Sequence, residues 1–126
     1  MAEFIKVLDT SSMTLEELKS YRCIEIDVRT QELIAQGFTF DGHTFSMSTN
    51  AQINWSNFPN LPDGLFPLTV MDKNDAVYVL ALADKLNFYL SALNFKNTQL
   101  QSGSVLKGEV KAAIDAPAVN AIIDNR

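Results

Sequence analysis

With only one cysteine, Cys23, the chain can form neither an internal disulfide nor a thiolate-rich zinc site. Histidine is as scarce, since His43 stands alone, and a metal site would need further ligands that the neighbouring sequence does not offer. No run of lysine or arginine occurs, and 10 basic against 15 acidic side chains leave a net charge of −5. The electrostatic footprint that a phosphate backbone requires is missing, so no nucleic-acid partner is expected. No apolar run approaches the ~20 residues that span a bilayer. The opening MAEFIKVLDT lacks the basic region, long apolar region and cleavage site of a secretory signal. We therefore expect no membrane association and synthesis in a cytoplasm. Repeats and low-complexity segments are also absent.

What is present is the composition of a folded protein, 47% hydrophobic and 20% charged over 126 residues, enough for one good core. The reading is an arm or edge strand over residues 1–13, followed by a single α+β domain over 14–126. The apolar string EFIKVL, with Phe4 and Ile5, suits either an edge strand or an arm laid on a neighbour.

Thr14-Leu15-Glu16-Glu17 has capping-box spacing, and a helix is predicted from about Leu15 to Gln36. At ~100° per residue its apolar side chains form two stripes. One carries Leu15, Leu18, Ile26 and Leu33, the other Tyr21, Ile24, Val28 and Ala35. With Gln31 inside it, the second stripe has the alternating three-and-four spacing of a short coiled-coil seam. It either packs in the same core or meets another subunit, which makes Tyr21, Ile24 and Val28, with Phe4 and Ile5 of the arm, the candidate partner-binding residues.

Gly37 closes this helix, and Phe38-Thr39-Phe40 then lead into Asp41-Gly42, a pair suited to a type I′ turn. The predicted register sets Phe40 opposite His43, Thr39 opposite Thr44 and Phe38 opposite Phe45. Ser46, Ser48 and Thr49 can cap a short helix through Ala51, Ile53 and Trp55. The proline-rich NFPNLPDGLFP reads as a loop. A second hairpin is predicted from Phe66–Met71 and Ala76–Ala81 around Asp72-Lys73-Asn74-Asp75, with Phe66, Leu68 and Val70 on one side.

From Leu82 the pattern turns helical, with Leu82, Leu86, Leu90, Leu93 and Leu100 near one stripe. Leu106, Val110 and Ile114 fall some 140° away on an ideal helix. The helix either breaks near Gly103 or turns a new face to a new neighbour. Asp115 and Pro117 predict a last capped helix through Val119 and Ile123. The fold class expected is thus α+β, with a long N-terminal helix, two short antiparallel β-hairpins and a helical C-terminal half.

The inventory for chemistry is thin. His43 reads as a half-buried edge histidine, Cys23 as a buried or seam-facing thiol, and Asp72 and Asp75 as solvated turn residues without the glycine and bidentate glutamate of a calcium loop. GSVLKG, residues 103–108, lacks the spacing of a phosphate loop. No carboxylate pair sits where the two pKa values would be driven apart. Trp55, Phe58 and Tyr78 could form a sugar platform but fit core packing better. No enzyme activity, cofactor or metal is expected.

The strings ELIAQG, FTFDGHTFSMS and AQINW, together with the later FYLSAL, LKGEVKAAID and VNAII, run from about Tyr21 to Ile123. In content and order they resemble a small domain of unknown function from tailed bacteriophages and prophages, often encoded near tail-fibre genes. The resemblance implies a virion setting, with synthesis in the host bacterial cytoplasm, and carries over no catalytic or binding residue. EFIKVLDT lies outside it. The expected function is a non-enzymatic structural or accessory virion component, in tail, fibre attachment or head decoration, working through contacts with other virion proteins and with copies of itself in a symmetric assembly. The alternatives are a tail-fibre assembly chaperone absent from the finished particle and, more weakly, a glycan-binding receptor module.

Overall fold

The computed structural model describes residues 10–126. The chain is α+β, and its elements in order are helix α1 (Leu15–Ala35), strands β1 (Phe38–Phe40) and β2 (His43–Phe45), helix α2 (Thr49–Ser56), strands β3 (Leu68–Met71) and β4 (Val77–Leu80), and helices α3 (Lys85–Ala112) and α4 (Ala116–Ala121). Short 3-10 turns occupy Phe58–Asn60, Asp63–Leu65 and Leu82–Asp84. Residues 1–9 of the expected arm, which include Phe4 and Ile5, lie outside the described residues, while Met13 packs against the core of one unit. Within the span expected to be a single domain there are two compact units, one of residues 34–98 and the other combining residues up to 33 of the described chain with residues 99–126.

Local signals explain most element ends. At the start of α1 the Thr14 hydroxyl accepts from the Glu17 amide at 3.2 Å, while Glu17 Oε1 accepts from the Thr14 amide at 3.1 Å. These bonds hold the Glu17 carboxyl below its ordinary pKa, the backbone bond from Thr14 being the larger cause. The helix ends one residue before the predicted Gln36, where Gly37 takes φ +97°. Asp41 and Gly42 both have positive φ, as a type I′ turn requires, and the β1–β2 register pairs Phe38 with Phe45, Thr39 with Thr44 and Phe40 with His43, as predicted. Ser48 caps α2 through the Ala51 amide, and Asp115 caps α4 through that of Ala118.

In the unit of residues 34–98 the core is aromatic. Phe38, Phe45, Phe58 and Phe88 are buried beside Ile34, Met47, Val70 and Leu80, and Trp55, Phe66, Leu68 and Tyr78 pack against them. Alternation along β3 and β4 sends Val70 and Leu80 inward, with Leu68 and Tyr78 half-buried on that side. Phe66-Pro67 is a cis peptide.

In the other unit the core is aliphatic. Leu18, Ile26, Val110 and Val119 form it, with Leu15, Cys23, Leu106 and Ile122 partly covered around them. Here α3 runs through Gly103 without a break. The glycine is buried, and a Cβ there would come within 2.5 Å of Thr30 Oγ1. Gly103 therefore permits close helix packing rather than ending a helix.

Three expectations need correction. The inward face of α3 is carried by Phe88 and Ala92, then Gly103, Leu106 and Val110, whereas Leu86, Leu90, Leu93 and Leu100 are exposed. Ile114 does not continue that inward face, because α3 stops at Ala112 and Ile114 is 85% exposed. α4 ends at Ala121, leaving Ile123 outside it.

Candidate functional site

The aromatics considered for a sugar platform face inward. Phe58 is buried and stacks 5.3 Å from Phe88, the Trp55 indole N–H donates to the Ser46 carbonyl at 2.7 Å, and the Tyr78 hydroxyl donates to Asp41 at 3.0 Å. Each polar tip has a partner while the ring fills the core.

Asp72 is not the solvated turn residue that the sequence suggested. It is buried at the mouth of the β3–β4 turn, and its Oδ1 accepts the amides of Asn74 and Ala76 at 2.8 and 2.9 Å. Its Oδ2 lies 2.9 Å from His43 Nδ1, and since a carboxylate only accepts, Nδ1 carries the proton. Nearby the Lys73 amide donates to the Thr44 carbonyl at 2.7 Å and Lys73 Nζ to the Gln36 carbonyl at 2.9 Å. The cluster thus ties one hairpin to the other and caps the end of α1.

Hydrogen bonding from His43, and then from the Ala76 amide, holds the Asp72 carboxyl below the usual carboxylate range. A lowered folded-state pKa contributes stability that is fully present above the unfolded value and is lost as pH falls through the folded one. Below about pH 4, unfolding should therefore be promoted by protonation of Asp72. Asp72→Asn keeps an acceptor for the turn amides and removes the charge, so its Trp55 fluorescence should fall less steeply between about pH 4 and 2 than the parent's. Parallel acid limbs in the two proteins would show that the pair has no such role.

The residues proposed for partner binding do not share one open face. Tyr21 is buried and burial raises its phenol pKa, Ile24 is 51% exposed, and Val28 is half-buried. Val28 lines a groove of about 540 Å³ in the unit containing α1, beside Arg22, Glu25, Arg29, Glu32 and Asp124. The charged groups lining that groove have ion-pair or hydrogen-bond partners, while the buried Arg22 Nε is left without one among the described residues. Arg22 pairs with Glu25 at 2.6 Å and donates to Asn120, Arg29 pairs with Glu32 at 3.3 Å and donates twice to the Arg126 carbonyl, and Arg126 pairs with Asp124 at 2.7 Å. Neither His43 nor Cys23 lines it. Among the described residues no cluster of three or more potential metal ligands occurs, and no helix is long and apolar enough to cross a membrane.

Exposed apolar side chains line two other surfaces. On the outer side of the β3–β4 hairpin Thr69, Met71, Val77 and Val79 are all exposed, and the register sets Thr69 beside Val79 and Met71 beside Val77. Along α3, Leu86, Leu90, Leu93 and Leu100 are exposed by 37–59%. Fully covering a leucine is worth about 1.5–3 kcal/mol, so completing the burial of these four would contribute roughly 1 kcal/mol each. Exposed apolar side chains set side by side in this way are candidate contact surfaces. The sequence held the signal, but the leucine stripe reads the same whether it faces a core or a partner.

Comparison with protein-family models, with curated proteins and with solved structures gave no match to this chain.

Proposed function

We propose that this chain is a non-enzymatic structural or accessory component of a tailed-bacteriophage virion, acting through protein–protein contacts in the tail, at a fibre attachment or on the head. The observation that carries the contact role is the exposed leucine row on α3, an apolar surface on an otherwise acidic chain. The phage setting rests on the sequence resemblance alone. Its partners are other virion proteins and further copies of itself, with neither nucleic acid nor membrane among them. The net charge of −5 supports the first exclusion.

The test is mass spectrometry of gradient-purified particles from the phage or prophage that encodes the chain, with peptide intensities scaled to the major capsid protein. The expected result is detection at a fixed stoichiometry. Absence from particles, with abundance in the infected-cell lysate, would overturn the virion role and favour the assembly chaperone.

A further inference from the structure

The exposed row on α3 has a register. Leu86, Leu90, Leu93, Asn97 and Leu100 are separated by four, three, four and three residues. This is the a/d alternation of a heptad, with Leu90 and Asn97 at a and Leu86, Leu93 and Leu100 at d. At ~100° per residue the five positions fall within an arc of roughly 80°. The opposite side of the same helix is taken up by Phe88 and Ala92, which are buried. The row is therefore exposed on the side of α3 away from those buried residues.

We infer that this row is a coiled-coil seam that pairs with the same row of a second copy of the chain, in parallel and in register, to form a dimer. The inference rests on the reading that the chain works through protein contacts, and it names the partner. Two observations favour a second copy over a different protein. The first is Asn97, the only polar residue in the row. At an a position in a parallel pair it meets its own counterpart, where the two amides can donate to and accept from one another. A buried asparagine at a specifies register and two-stranded pairing at some cost in stability. An unrelated apolar partner would leave that amide unsatisfied. The second is charge. The e positions Asn87, Asn94 and Gln101 are exposed and carry none, and the one charge at a flanking position, Lys96 at g, faces the e position Gln101 of the second copy in this register rather than a like charge. Two copies at net charge −5 repel one another, and a flank free of acidic side chains is where they can approach.

The seam is short. From Leu86 to Leu100 it runs about 21 Å at 1.5 Å per residue, and it stops where Lys107, the next d position after Leu100, pairs with Asp27 at 2.8 Å. An interface of that size sits at the low end for specific association, so a dissociation constant on the order of 10 μM is expected.

Sedimentation velocity on the whole chain from about 5 to 500 μM should follow a monomer–dimer equilibrium. The Leu90→Asp, Leu93→Asp double variant should weaken it by about 100-fold or more, with far-UV circular dichroism and Trp55 fluorescence unchanged. Should that pair disturb folding, Leu90→Ala with Leu93→Ala keeps the helix and should weaken pairing in the same direction. Orientation is read from the Asn97→Cys, Cys23→Ser variant, which should form a disulfide-linked dimer on mild oxidation, because only in-register parallel pairing brings the two position-97 side chains face to face along the whole seam. A chain monomeric at the highest concentration, a dimer that survives loss of both leucines, or a dimer without the cross-link would each overturn the inference. A monomer found in particles would sink the dimer alone. A dimer absent from particles would sink the virion role alone.

Discussion

Phe88→Ala should lower the unfolding free energy of the 34–98 unit by about 3–5 kcal/mol, the usual cost of emptying a large buried aromatic site. Phe88 is fully buried, and its ring lies 5.0–5.3 Å from those of Phe38, Phe40, Phe45, Trp55 and Phe58. Four of these contacts are edge-on, an arrangement that adds to the burial energy, and all five rings lose their partner at once. Domain stability is commonly about 5–15 kcal/mol, so the change should leave the unit marginal at ambient temperature. Urea unfolding followed by Trp55 fluorescence measures it, because the indole is in contact with the vacated site. Phe88→Leu should cost about half as much. A loss below about 1 kcal/mol for the alanine variant would mean that the aromatic cluster is not the centre of this core.

Gly37→Ala should also be strongly destabilising, by about 3 kcal/mol, from two independent sources. The residue takes φ +97°, a conformation that L side chains rarely adopt, and a Cβ there would run into the carbonyl oxygen of Phe45. That oxygen belongs to the paired strand β2, so it cannot move without disturbing the register of Phe38 with Phe45. Gly64→Ala is the control, because a Cβ at that position would meet nothing within 4 Å. Chemical denaturation of the two variants side by side should show a large loss for the first and a change within about 0.5 kcal/mol for the second. Equal stability of the two would mean that the close approach of Gly37 to β2 is relieved without cost.

These two sites differ in how far the sequence exposed them. Gly37 was legible, since a glycine after an apolar helical run and before a strand has few other uses, and the Asp41-Gly42 turn that sets the adjoining register is a two-residue signal. The importance of Phe88 was not. On the sequence it is one of two adjacent aromatics between Leu86 and Leu90, and the leucines have the stronger periodic pattern. The same blindness affected Asp72, whose carboxylate pairs with a histidine 29 positions away. No local pattern records that distance.

Capping of α1 by Thr14 and Glu17, the glycine that ends it, the register of the first hairpin and the cap of α4 were all determined by the sequence alone, because each depends on groups within a few residues that meet however the rest of the chain packs. Which face of a long helix is buried is a different kind of question. α1 and α3 each carry apolar residues on more than one side, and burial goes to the side that finds complementary neighbours. In α3 the rings of Phe38, Phe45 and Trp55 chose Phe88, and Thr30 chose the small surface of Gly103. The leucines were left outside by that choice, and only the tertiary structure could make it, because burial is a property of the space between elements and not of either one.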